Sequence, residues 1–165
     1  MTIHDTHPFA EPPDPVRRFR GRLGGAVSLW TAGPPPSRAG LTVTSLMVAN
    51  GSPARVLGLL DPDSDLALEL EESGRGVVQL LEWGHRQLAD GFAGTAPAPG
   101  GAFAAAGWVE TPHGPRLAEA TTWALVSLDS LAPVGWSVLA TCTLDEVVVG
   151  EEQEPLLHRR GRYHH

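Results

Sequence analysis

The sequence predicts a mainly β protein, a barrel or sandwich carrying two or three short helices. Three observations carry that prediction. Apolar residues alternate with polar ones, or run together, in six or more short stretches bounded by turn residues. Helical spacing occurs in only two or three places, each brief. Glycine (19 residues) and proline (15) are abundant, which suits many turns between short elements. A chain of 165 residues fits one domain with its own core.

The elements follow in order. Residues 1–14 are polar and proline-rich and read as a flexible arm, with one domain over 15–163. From Pro15 the pattern is helical: Val16, Phe19 and Leu23 recur at i, i+3 and i+7, with arginines between them as a solvated face. Asp14 is a good N-cap, Pro15 suits the first helical position, and Gly24-Gly25 stops the helix. Strands are expected at Ala26–Ala32, Gly40–Ala49, Arg55–Leu60 and Gly76–Glu82. Arg55–Leu60 is nearly all apolar and reads as buried on both faces. Short helices are expected at Asp63–Glu72, with acidic residues at its favourable end, and at His85–Ala93. Gly94–Ala102 is a loop. Further strands are expected near Arg116–Ala120, Thr122–Leu128, Trp136–Val149 (long enough to need a bend) and Pro155–Arg160.

Several function classes fall away. A net charge of −7 argues against nucleic-acid binding, which needs a basic footprint. No run approaches the roughly 20 apolar residues of a membrane span, and the first residues lack a signal pattern. The lone Cys142 permits no internal disulfide and reads as a small buried residue in a cytoplasmic protein. Asp61, Asp63, Asp65 and Glu72 mimic a calcium loop, but Leu66 stands where that loop needs glycine, and no metal site is expected. The terminal His164-His165 carry no functional weight.

Separated motifs then resemble one family. Phe19…Leu23-Gly24-Gly25-Ala26-Val27 is similar to an opening helix running into a first strand. Arg38-Ala39-Gly40-Leu41-Thr42-Val43-Thr44-Ser45-Leu46 resembles a Gly-Met-Thr-x-Ser-Ser-Phe strand, followed by Val48–Ala54 in place of a Ser-rich stretch ending in proline. Val77–Leu81 stands for Phe-x-Val-Asn-x-Leu, and His85–Gly94 for a helix ending in Phe-Ala. Trp108, Pro115, Leu117, Ala120, Trp123 and Pro155-Leu156-Leu157…Arg162-Tyr163 complete the order. Together they resemble the flavin-reductase-like, FMN-binding split-barrel family over nearly the whole chain.

The resemblance implies a six-stranded Greek-key split β-barrel, homodimeric, with flavin in a groove near the subunit interface. It implies an oxidoreductase passing hydride from NADH or NADPH to FMN, with FAD as the alternative flavin, and a partner monooxygenase receiving the reduced product. FMN needs donors for its phosphate, polar partners for its ribityl chain, and an apolar wall with nearby donors for its ring. Thr42, Val43, Thr44 and Ser45 are the first candidates: on a strand, Thr42 and Thr44 point one way, Val43 and Ser45 the other. Ala49, Asn50, Gly51 and Ser52 offer an anion cradle in a turn. Gln79 interrupts an apolar strand and sits on the solvated face or at the ligand. Arg86, beside His85 at a helix start, is a phosphate candidate, and Phe92 a core residue or ligand wall. The family's Gly-Asp-His, whose histidine helps hold nicotinamide, is replaced here by Gly135-Trp136-Ser137. Trp136 either stacks on a ring or plugs the groove. A flavin-binding protein without a nicotinamide site is therefore the competing expectation. No residue stands out as an acid or base catalyst.

Overall fold

The computed structural model describes residues 14–151 and 154–165. Among the described residues, twelve strands and three α-helices are formed. Helix α1 (Pro15–Leu23) begins where the sequence places it, and the Asp14 carboxylate accepts the Val16 N–H at 3.0 Å. The other thirteen residues of the expected arm lie outside the described residues. Helix α2 (Asp65–Ser73) starts two residues later than expected because Ser64 caps it, its hydroxyl accepting from Ala67 N. Helix α3 (Arg86–Ala93) follows a single 3-10 turn at Trp83–His85.

The strands are β1 (Gly25–Ala26), β2 (Ser28–Ala32), β3 (Ala39–Val43), β4 (Leu46–Ala49), β5 (Arg55–Leu60), β6 (Arg75–Leu80), β7 (Trp108–Thr111), β8 (Gly114–Leu117), β9 (Thr122–Val134), β10 (Ser137–Val149), β11 (Leu157–Arg159) and β12 (Arg162–His164). The main sheet is antiparallel, in the order β3-β2-β6-β9-β10-β5-β4. Its two edge strands, β3 and β4, are consecutive in the chain and joined only by Thr44-Ser45. So short a link requires the sheet to curl until its edges meet, which makes a half-barrel. The sequence expects one strand over Gly40–Ala49. The break at Thr44-Ser45 divides it, so the main sheet has seven segments where six were expected.

Trp30, Ala32, Val43, Val56, Leu60, Val126 and Cys142 fill the inside of the curl, with Leu66 and Leu70 of α2. The opposite face carries a second core, where Leu29 and Leu81 meet Leu88, Ala89 and Phe92 of α3, Leu117 and Leu156. Strand β2 separates the two cores and is buried along its whole length. The sequence expected that of Arg55–Leu60. Strand β5 instead alternates, with Val56, Gly58 and Leu60 inside and Arg55 and Leu59 exposed. Gly58 must lack a side chain: a Cβ there would lie 2.7 Å from the Trp30 ring. The bend expected in the long late strand appears as two irregularities of register, at Thr141/Cys142 and Leu144/Glu146. The short strands β7 and β12 are not anticipated by the sequence pattern. No described helix is long and apolar enough to cross a membrane.

Two groups, the buried Cys142 and the half-buried Tyr163, hold their protons. Burial, aided by the Asp129 and Asp145 carboxylates, pushes the Cys142 thiol up to about 12, so it is an inert core residue. Burial also raises the Tyr163 phenol, and its hydroxyl donates to Asp90, whose charge raises it further. Tyr163 is the only tyrosine, so its titration can be read alone. Its contribution to stability is full below the ordinary phenol value of about 10 and lost as pH rises through the higher folded value. Tyrosinate absorbance is therefore expected to appear above that value, or together with alkaline unfolding. Ionisation near pH ~10 with the fold intact would contradict the burial argument.

Candidate functional site

The break between β3 and β4 makes the site. Because regular strand geometry ends at Val43, Thr44 and Ser45 do not continue the alternation expected of them. Both line one groove of about 610 Å³. One wall comes from α1 and the residues after it, with Arg17, Arg20, Leu23, Gly24 and Gly25. Leu46 and Met47 of β4, Leu57 and Leu59 of β5, Leu139 of β10 and His158 of β11 complete it. The Ser45 carbonyl accepts the Leu59 N–H at 2.9 Å, which fixes the corner against β5. The walls are thus aliphatic, the corner carries two hydroxyls, and the rim two guanidiniums. This volume and mixture suit a flat ligand with an anionic tail.

A second cavity of about 420 Å³ adjoins it, lined by Arg20, Ser45, Leu59, Leu60, Asp61, Trp136 and Ser137. Arg20, Ser45 and Leu59 belong to both cavities. Trp136 sits at the tip of the β9–β10 hairpin, in a two-residue turn whose other member, Gly135, takes φ +57°. Its side chain is 99% exposed, so it borders the cavity and does not plug it.

The other expected site residues lie elsewhere. Val43 is core, and the Thr42 hydroxyl donates to the Ala89 carbonyl at 2.6 Å, tying β3 to α3. Gln79 is neither solvated nor at an open surface. It is fully buried; its Nε2 donates to the Leu29 carbonyl at 2.8 Å and the Thr31 hydroxyl at 3.2 Å, and its Oε1 accepts the Leu117 N–H at 2.7 Å. It is a crosslink holding the β7–β8 hairpin to the barrel. Phe92 is a core residue in edge contact with Phe103 and Trp108, and packs where a side chain on Gly40 would collide. The Arg86 guanidinium lies 3.9 Å over the Trp83 ring and donates to the Trp83 carbonyl. His85 Nδ1 accepts the Glu82 N–H within the same turn. Ala49, the last residue of β4, and Asn50, Gly51 and Ser52 beyond it are exposed and line neither cavity.

Sequence reasoning took Arg17 and Arg20 most simply as a solvated face, able to meet a flavin phosphate only if a second subunit covers them, and missed Leu57, Leu59, Leu139 and His158. One signal was available: Arg17 and Arg20 stand at i and i+3 and therefore share a helix face. The rest converge only through the curl of the sheet.

The fold is thus an antiparallel half-barrel with a partly polar groove at its seam. Residues 20–165 match the flavin reductase like domain, and the chain belongs to that family. It is 31% identical over 149 residues to the FMN reductase (NADH) RutF of Ancylobacter novellus, covering 90% of this chain and 82% of that protein. It is 25% identical over 150 residues to the 4-hydroxyphenylacetate 3-monooxygenase reductase component of Pseudomonas aeruginosa, covering 90% and 88%. Among solved structures, the NADH:FAD oxidoreductase SgcE6 of Streptomyces globisporus, in complex with NAD and FAD fragments, superposes with a TM-score of 0.82 at 23% identity, over 94% of this chain and 96% of that one. At that identity the likeness bears on the fold. The names of the relatives agree with the flavin reductase-like oxidoreductase expected from the sequence.

Proposed function

We propose that this protein is an NAD(P)H-dependent flavin reductase that takes FMN or FAD in the groove at the Thr44-Ser45 corner. One observation supports the reading above the others. The corner the resemblance assigns to flavin and the Trp136-Ser137 tip it assigns to nicotinamide line adjoining cavities that share Ser45 and Arg20. When bound, flavin would supply the redox chemistry, accepting one hydride, which is two electrons and a proton, from the nicotinamide. The protein's own part is positioning. Leu46, Leu57 and Leu59 offer the ring an apolar bed. The Thr44 and Ser45 hydroxyls and nearby backbone N–H groups offer hydrogen bonds at its edge. Arg17 and Arg20 offer countercharge. The exposed Trp136 favours a reductase over a flavin-holding protein with a blocked second site.

The working unit in this reading is a homodimer that completes a Greek-key split barrel in the cytoplasm. Val16, Phe19 and Leu23 of α1 and Met47 and Val48 of β4 are all more than 60% exposed, and Leu23 and Met47 line the groove, an apolar surface suited to a second copy. Reduced flavin would pass to a partner monooxygenase. Loss of nicotinamide absorbance on mixing protein, FMN and NADH or NADPH tests the activity, and no turnover with either donor rejects it. Light scattering tests the assembly; a monomer at micromolar concentration rejects it.

Trp136→Ala gives a sharper outcome. Losing one aromatic stacking surface should raise the KM for the nicotinamide donor roughly three- to tenfold, with kcat and thermal stability little changed. An unchanged KM would remove Trp136 from the nicotinamide site.

A further inference from the structure

Beside the groove, and sharing Arg17 and Gly21 with it, lies a recess of about 320 Å³. Four arginines, Arg17, Arg18, Arg22 and Arg160, and two glycines, Gly21 and Gly161, line it. No acidic side chain among the described residues does. Among the described residues none of the four guanidiniums is in an ion pair. Four like charges around one small space repel one another, in a chain whose net charge is −7. An anion between them would relieve that repulsion.

The backbone supports the same reading. Helix α1 buries none of its side chains, so core packing does not explain its position. It is tied instead to the β11–β12 turn, where Arg160 N–H donates to the Gly21 carbonyl at 2.7 Å. Arg160 has φ +55°, and it is the only described residue other than glycine in the left-handed region. Glycine or asparagine would take that turn position more easily. A long cationic side chain held at a backbone position that disfavours it points to a use for the cation.

We infer that this recess binds the diphosphate of a dinucleotide whose ring system lies in the adjoining groove. Guanidinium forks suit phosphate oxygens, and glycines at Gly21 and Gly161 leave room for a bulky anion. The diphosphate belongs either to FAD or to the nicotinamide dinucleotide; the two present the same chemistry here. The ligand class rests on the flavin-reductase reading, but the anion site does not.

The experiment compares the full-length wild type with two variants. Arg160→Gly keeps the turn, and Arg18→Ala/Arg22→Ala removes exposed side chains only; circular dichroism checks both folds. Calorimetry with inorganic pyrophosphate should show binding to the wild type that weakens by roughly tenfold or more in each variant. If FAD binding weakens similarly while FMN binding holds, the diphosphate is the flavin's. If the KM for NADH or NADPH rises while flavin binding holds, it is the nicotinamide donor's. No pyrophosphate binding by the wild type, or equal binding by both variants, overturns the anion site. Weakened pyrophosphate binding with unchanged FAD affinity and donor KM overturns the dinucleotide assignment. Pyrophosphate binding without any flavin binding leaves the anion site standing and defeats the flavin reading alone.

Discussion

Gln79→Leu is expected to lower stability by about 2–4 kcal/mol, from removing neutral hydrogen bonds and leaving one buried donor unpaired. The donor is the fully buried Leu117 N–H, which has the Gln79 side-chain oxygen 2.7 Å away. Leucine fills a similar volume, so the effect measures polar satisfaction and not a cavity. The midpoint of thermal unfolding should fall by roughly 5–15 °C for a chain of this size. The damage should be local first. The Thr31 hydroxyl, which donates to the Pro115 carbonyl, is also a Gln79 partner, so the β7–β8 hairpin loses its principal polar anchor. Amide exchange at Leu117 should quicken more than exchange in β2. The hairpin lines neither cavity, so flavin binding per folded molecule should stay unchanged. Lost flavin binding with an intact fold would return Gln79 to the ligand.

The largest functional effect is expected from Ser45→Trp. Ser45 is half-buried, belongs to both cavities, and makes its structural hydrogen bond through its backbone carbonyl, which the substitution keeps. An indole there occupies the corner where the apolar bed meets the hydroxyls. Flavin affinity should fall at least tenfold, while stability stays within about 1 kcal/mol, because the side chain grows outward into open space. Asn50→Ala, beyond the far end of β4, is the matched control and should leave ring binding nearly as in the wild type. The pair separates the two parts of the segment that the sequence offered together as flavin-binding.

Much of the fold is legible in local pattern. Asp14-Pro15 at one end and Gly24 at the other bound α1 without any tertiary information, because capping is a local hydrogen-bond requirement. The period-two runs locate most sheet strands. They do not reveal which strand is central. Arg55–Leu60 has the more continuous apolar run, yet β2 separates the two cores, and burial on both faces depends on what packs from outside the segment. The break at Thr44-Ser45 is also hidden, since threonine and serine extend a strand pattern as readily as they end one. It arises because the sheet must turn back on itself there.

The site was half legible for the same reason. Ser45 and Trp136 were identifiable from motif position, but their meeting depends on curling that brings β4, β5 and the β9–β10 tip to one end of α1. Arg17 and Arg20 read as a solvated face because the charged side of an amphipathic helix faces water by default, and only the folded sheet shows that it borders a groove. Gln79 misled because a polar residue in an apolar strand marks either a surface or a buried crosslink, and only its partners, Leu29, Thr31 and Leu117, decide.

The most direct measurement is a crystal structure of the protein soaked with FMN. The account predicts the isoalloxazine ring on the bed of Leu46, Leu57 and Leu59, with Thr44 and Ser45 within hydrogen-bonding distance of its edge. A ring bound anywhere else, with the Thr44-Ser45 groove left empty, would contradict it.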